Sequence, residues 1–453
     1  MKKLLCAVWA LAAALCLPAL AAEGEIGVCL DGTPLTFDTA PTAVEGRTLV
    51  PVRTIFEALG YRVDWDGGTG ITAVSPEHRV ELELGKAEMR VVGVSQALDV
   101  PPMAVEGRTL VPVRAVAQAA GCDVLWDQER NAALLWTPGA LPTHFLYDDF
   151  STDGVYLYAF SFRGTLQISL VDQSVRVLPL LGAICQPYGG KLYGRFGSEG
   201  DNLAFAAYDL ATGEKKALTD KNVGELYVYE DHVYGVLPGV GFGRMDLDGG
   251  NVEEVPFRDE GAGIGYFALR DGLLFSPGGW VLDLETGETA ARLTSGAKAE
   301  GWRDYYTLGG ASLSGERFYV PISFYYSEAY PLYPCGIAVY DYKSGAYGFL
   351  PVDDVVEDTQ AVGDTLYYTV RTGDAGYNTG TLYRLDDWDL PPTVLAEGLY
   401  VSGFTVIGDY VYYNRPSYEG EITLDEGMRG ATALCRMPAD GGEEQVISFD
   451  QHF

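Results

Sequence analysis

The chain has 453 residues, 47% of them hydrophobic, which is enough apolar content for folded cores, and it carries a formal charge of −32. Such acidity repels polyanions, so nucleic acid is set aside as a partner, and the excess charge reads as a solubility device rather than a cation-gathering surface. Beyond the first 22 residues no stretch holds the ~18 consecutive apolar residues of a membrane span.

The chain opens with Lys2 and Lys3, an apolar run over residues 4–17, Pro18 and the small-residue stretch Ala19-Leu20-Ala21-Ala22. This is the layout of a cleavable export signal over residues 1–22. The bulky Leu15 before Cys16 does not suit a lipidation site, so the product is expected to be secreted, or held at the cell surface by protein contacts. Cys29, Cys122, Cys185, Cys335 and Cys435 remain after cleavage. Their sparse spacing describes no disulfide framework, and they read mostly as core thiols, with any pairing left open.

A segment then repeats. Residues 43–53, AVEGRTLVPVR, recur unchanged as 104–114, and Gly60, Trp65 and Asp66 answer to Gly121, Trp126 and Asp127 at the same offset of 61. Each unit reads as a strand over Thr48-Leu49-Val50, a short helix entered at Pro51 and ended at Gly60, then a hairpin turning at Asp66-Gly67-Gly68. Ile55 and Leu59, four apart, are expected to form the helix's buried face. Residues 79–84 and 88–92 add two strands between the units. Arg47 and Arg108 read as structural, pairing with local carboxylates.

The doubled GRTLVPVR segment with its helix and Trp-bearing strand resembles the copper amine oxidase N-terminal-like, or stalk, domain. The resemblance covers residues 25–138 and implies a small antiparallel sheet packed on helices, acting as a spacer or adhesion module. It does not bring copper with it. His78 and His144 are the only histidines in or beside the segment, a copper site draws on several imidazoles, and the chain has no Asn-Tyr dipeptide to supply a quinone. No metal and no cofactor is expected.

From residue 141 a new phrase returns seven times: an acidic residue or Gly, any residue, an apolar residue, then usually Tyr. The occurrences begin at Asp153, Gly190, Asp231, Asp271, Glu316, Asp364 and Asp409, with apolar positions 37, 41, 40, 45, 48 and 45 residues apart. That interval belongs to propeller blades. A second phrase follows, clearest in Tyr208-Asp209-Leu210-Ala211-Thr212-Gly213 and Tyr340-Asp341-Tyr342-Lys343-Ser344-Gly345. Four strands per repeat over residues 141–453 make a seven-bladed β-propeller, which hides apolar faces that a lone blade would expose. The chain is expected to enter at an inner strand over residues 145–147 and leave at an outer one over 445–449, with no strand swap. The region resembles exported WD40-like and DUF5050-type propellers. The fold class is mainly β: a small α/β two-repeat domain and a propeller.

Corresponding loops of a propeller share a face. Those over residues 321–334, 369–380 and 414–430 are the longest, belong to neighbouring blades, and are expected to form a wall. They carry Phe324, Tyr325, Tyr326, Tyr330, Tyr333, Tyr377 and Tyr418, aromatic planes suited to sugar rings or peptide segments. Two readings stand: the tyrosines contact a ligand, or they pack their own loops onto the propeller.

Catalytic motifs are absent from the sequence: the four histidines, His78, His144, His232 and His452, lie at neither triad nor metal spacing, and no nucleophile elbow or P-loop occurs. The stretch from Asp246 to Asn251 glances toward a calcium loop, but Asn stands at the glycine position and Phe257 at the bidentate one, so it reads as a turn. Asp386-Asp387-Trp388-Asp389 offers paired carboxylates of the glycosidase kind, though a solvated hairpin tip explains them as well. The leading expectation is a non-catalytic binding or adhesion protein whose partner is a cell-envelope component, an extracellular protein, a peptide or a glycan. The alternative is an extracellular propeller-fold polysaccharide hydrolase or lyase using Asp386 and Asp389.

Overall fold

The computed structural model describes residues 26–450 apart from 77, 143–149, 162–163, 181–184, 197–203, 220–225, 238, 256–267, 271, 276–279, 285, 293–310, 323–335, 373–378, 402 and 417–431. The expected export signal and the expected entry strand at 145–147 lie outside these residues. No described helix is long and apolar enough to cross a membrane. The chain divides into two compact units, Met1–Ala140 with Ser169–Gln173, and Leu141–Ile168 with Ser174–Phe453.

In the first unit the strands are β1 (Gly27–Leu30), β2 (Thr33–Pro34), β3 (Thr42–Val44), β4 (Arg47–Pro51), β5 (Arg62–Trp65), β6 (Gly70–Val74), β7 (Arg79–Glu83), β8 (Glu88–Val91), β9 (Val94–Ala97), β10 (Met103–Val105), β11 (Arg108–Pro112), β12 (Asp123–Asp127) and β13 (Ala132–Trp136). Two helices, α1 (Val52–Ala58) and α2 (Val113–Ala119), follow β4 and β11. Pro51 and Pro112 are their N-caps, where a missing N–H costs nothing, and Gly60 and Gly121 leave each helix at φ +79 and +80. The buried face of α1 is Val52, Ile55 and Phe56. Leu59 is the C-cap and only half-buried, because the helix ends one residue before it.

The single antiparallel sheet implied by the resemblance is in fact three sheets, ordered β12-β13-β1-β2, β10-β11-β4-β3 and β5 to β9 in sequence. One pairing, β1 with β13, is parallel. The two repeats meet where β4 and β11 pair antiparallel, with Val50 opposite Val111, Pro51 opposite Leu110 and Leu49 opposite Pro112. Val50 and Val111 are the same position of the duplicated sequence, so the pairing carries a local two-fold. Arginines from one repeat consequently reach carboxylates of the other. Arg47 Nε donates to Asp99 and Arg108 Nε donates to Asp38, each at 2.6 Å. The partners are therefore not the local carboxylates expected, since an antiparallel seam carries each guanidinium away from its own repeat.

The second unit contains seven four-stranded antiparallel sheets, each a meander of consecutive strands. They span residues 150–178, 185–217, 226–254, 268–292, 312–351, 356–400 and 404–450. The first described strand, Phe150–Thr152, is innermost in its sheet and the last, Gln445–Asp450, is outermost, so no strand is exchanged between blades.

Alternation along the second strand of each blade explains the recurring phrase, because neighbouring residues on a strand point to opposite faces. In the sixth blade Leu366 packs against the fifth and Tyr367 against the seventh. Phe318 and Tyr319, Val233 and Tyr234, and Leu192 and Tyr193 divide in the same way, the apolar residue backward and the tyrosine forward. Leu157 on the first sheet and Tyr412 on the seventh are 0% and 1% exposed, the burial that the closing interface of a ring requires. The fold is thus a seven-bladed β-propeller.

Two occurrences of the phrase are shifted. In the fourth blade Leu274 faces the third blade and Phe275 the fifth, so the register begins at Gly272 and Phe stands in the tyrosine's place. In the first blade Thr152 lies opposite Leu157 and Tyr158 packs forward, so the phrase ends at Tyr158 rather than Tyr156.

Candidate functional site

All seven aromatic residues of the expected loop wall, Phe324, Tyr325, Tyr326, Tyr330, Tyr333, Tyr377 and Tyr418, lie outside the described residues. The ends of their loops are described. Strands Thr365–Arg371 and Thr379–Leu385 take up both ends of the span 369–380, leaving residues 372–378 as a connection no longer than 197–203 in the second blade. Strand Arg317–Ile322 likewise absorbs the start of the first loop, and Tyr410–Pro416 that of the third. The longer connections are therefore residues 323–335 and 417–431, in the fifth and seventh blades.

The Asp386, Asp387 and Asp246 carboxylates are engaged in the propeller's own structure. Asp386 accepts from Arg384 Nε at 2.8 Å and from the Thr365 hydroxyl at 3.0 Å. Asp387 accepts the Asp389 backbone N–H at 3.0 Å, an Asx turn, while Trp388 stacks on Tyr319. Asp246 accepts from the Asn251 amide at 2.6 Å and closes a turn in which the Gly249 N–H donates to the Asp246 carbonyl. Burial pushes the Asp153 carboxyl up, against hydrogen bonds from the Tyr156 and Val155 N–H groups and the Tyr158 hydroxyl. His232 Nε2 stands 3.9 Å from Asp246. Glu444 holds Arg415 through both oxygens, at 2.8 and 2.9 Å, and also accepts from the Tyr413 hydroxyl.

A cleft of about 490 Å³ lies in the first unit, lined mainly by the second repeat and edged by residues 46–48 of the first, within the ~300–1,000 Å³ range of ligand pockets. Its polar lining comes from Arg47, Asp99, Arg114, Gln118 and Gln128, and its aromatic wall from the half-buried Trp126. Arg114 and Gln118 stand on exposed positions of α2, Trp126 on β12, and Gln128 just beyond it. The Asp99 carboxylate is occupied by Arg47. Arg114 makes no hydrogen bond or ion pair with any described residue.

The first repeat shows what the same positions do with one change of chemistry. There the Arg53 guanidinium lies 5.0 Å from the Trp65 ring centroid and its Nε stands 3.9 Å from Glu57. At the offset of 61, Glu57 becomes Gln118 and Gly67 becomes Gln128. The cation of the second repeat thus loses its carboxylate and gains two amides beside it. The residue change is readable in the sequence once the repeats are aligned, but sequence reasoning passed over it because nothing in one dimension shows that these positions line a cleft.

Residues 29–135 match the model of the copper amine oxidase N-terminal domain family. No curated protein matches the chain. Among solved structures the chain is similar to a puromycin hydrolase (12% identity over 70% of this chain and 57% of that one, TM-score 0.42). It is also similar to BamB from Moraxella catarrhalis (14% identity, 58% and 77%, TM-score 0.31) and TolB from Acinetobacter baumannii (13% identity, 85% and 80%, TM-score 0.32). At these scores the propeller assignment rests on strand order and inter-blade packing.

Proposed function

We propose that the chain is a non-catalytic, exported binding protein, in which the N-terminal domain attaches to a cell-envelope component and the propeller presents a platform for a protein, peptide or glycan. The observation that carries this reading is the cleft, where a cation and two amides have no hydrogen-bond or ion-pair partner among the described residues and share the lining with a tryptophan. In the propeller, by contrast, the Asp153, Asp246, Asp386, Asp387 and Glu444 carboxylates are held in turns, hydrogen bonds or ion pairs. Long connections on a rigid scaffold are where binding residues gather, and the fifth and seventh blades carry them. Replacing Tyr325, Tyr326, Tyr330 and Tyr377 together with Ala tests the platform. Binding to envelope polymers or secreted proteins should fall at least tenfold, and unchanged binding would remove the propeller face from the proposal.

A further inference from the structure

We infer that the second-repeat cleft binds a saccharide unit bearing a carboxylate. This inference deepens the attachment role proposed for the N-terminal domain and rests on it. Three charged side chains line the cleft, Arg47, Asp99 and Arg114, giving a net charge of +1 within a chain of −32. Arg47 and Asp99 satisfy each other at 2.6 Å, which leaves Arg114 as the cation on offer. A planar guanidinium pairs with a carboxylate through two parallel N–H donors. Trp126 supplies an apolar plane suited to the face of a pyranose ring. The amides of Gln118 and Gln128 each donate and accept, matching hydroxyls that do both. Cation, aromatic plane and two amides in one cleft fit an acidic sugar better than a bare anion, which needs no aromatic wall, or a neutral sugar, which needs no guanidinium.

The duplication supplies an internal control. The first repeat has the same arginine and tryptophan, but there Glu57 stands near Arg53 and the guanidinium lies over Trp65, so a carboxylate already faces that cation. A single substitution, Gln118→Glu, gives the second repeat the carboxylate of the first.

Calorimetric titration of the full chain with tri-galacturonate, its methyl ester and N-acetyl-dialanine tests the inference. Tri-galacturonate should bind saturably, and the methyl ester and the peptide carboxylate at least tenfold more weakly, as loss of a charge-assisted pair or of the sugar contacts implies. Arg114→Gln and Gln118→Glu should each weaken tri-galacturonate at least tenfold, while Arg53→Gln leaves it unchanged. All three positions are exposed, so the melting curves of the variants should overlay that of the parent. No binding of tri-galacturonate, equal binding of either control ligand, or full affinity in Arg114→Gln overturns the inference. Retention on an envelope fraction, measured with the same variants, separates the two proposals. Uronate binding without retention upholds the cleft and rejects the attachment role.

Discussion

Gln360 in the innermost strand of the sixth blade grips Val406 in the innermost strand of the seventh, donating from its amide to the Val406 carbonyl and accepting from the Val406 N–H, both at 2.7 Å. The side-chain amide acts as one rung of a ladder between sheets that otherwise share no backbone pairing. Gln186 does the same to Val228 between the second and third blades, again with two bonds of 2.7 Å. Ser312 occupies the corresponding place in the fifth blade and accepts from the Ala361 N–H at 3.1 Å. Counted from the start of the recurring phrase, all three clamping side chains stand four residues before it, and all three backbone groups they meet stand three before it.

Gln360→Leu would remove both bonds while leaving the Val406 N–H and carbonyl in place. An unsatisfied buried polar group costs roughly 1–3 kcal/mol. Chemical denaturation should show a loss of that size for Gln360→Leu and for Gln186→Leu. A change within error for both would mean that water satisfies these strands and the clamps are incidental.

The exchanged pairs, Arg47 with Asp99 and Arg108 with Asp38, are both exposed and occupy matching positions of the two repeats. Such pairs are weak and screened by salt. Arg47→Gln and Arg108→Gln should therefore lower the melting temperature by small amounts at low ionic strength, with the difference from the parent vanishing at 1 M salt. A salt-independent loss in either variant would show that the pair does more than exchange charge across the seam.

Repetition made the blades legible in one dimension, since seven returns of one phrase at blade spacing leave few other folds. Its register was not always so. Leu273-Leu274-Phe275 offers two ways to place an apolar residue before a larger one, and only packing decides that Leu274 faces backward. Asp153-Gly154 imitates the start of the phrase, while the residues that pack are Leu157 and Tyr158. Gln186 and Gln360 gave no signal because a glutamine becomes a clamp only when another strand lies alongside. The same holds for Arg114, where Gln118 stands in place of the carboxylate that faces Arg53 in the first repeat.

Cys29, Cys122 and Cys435 are buried free thiols. Burial, aided by nearby carboxylates, pushes them up to about 12, about 11 and about 12. The thiolate is the reactive species, so iodoacetamide at pH 8 should leave all three unmodified in the native protein and label them after unfolding. Peptide mapping reads the outcome, and rapid native labelling of any one would contradict its burial.

The outer hairpins rest on Asp209 and Asp341. Asp209 accepts from the Ala211 and Thr212 N–H groups, and Asp341 from those of Lys343 and Ser344. Hydrogen bonds from Thr212 and from Ser344 hold the two carboxyls below their ordinary value. A depressed folded-state pKa contributes stability above the unfolded value of ~3.9, and that contribution is lost as pH falls through the folded value. Asp209→Asn and Asp341→Asn should each flatten the loss of stability below pH 4, measured by denaturation across pH 2–6. An unchanged acid limb in both would show that these turns do not depend on the charged form.

The proposed role, binding without cleavage, has one direct test. The full chain is incubated with envelope polysaccharide while the bound fraction and newly released reducing ends are followed in the same sample. Saturable retention with no release is the predicted result. Release that continues with time and disappears in Asp386→Asn would overturn the binding role and make the propeller an enzyme.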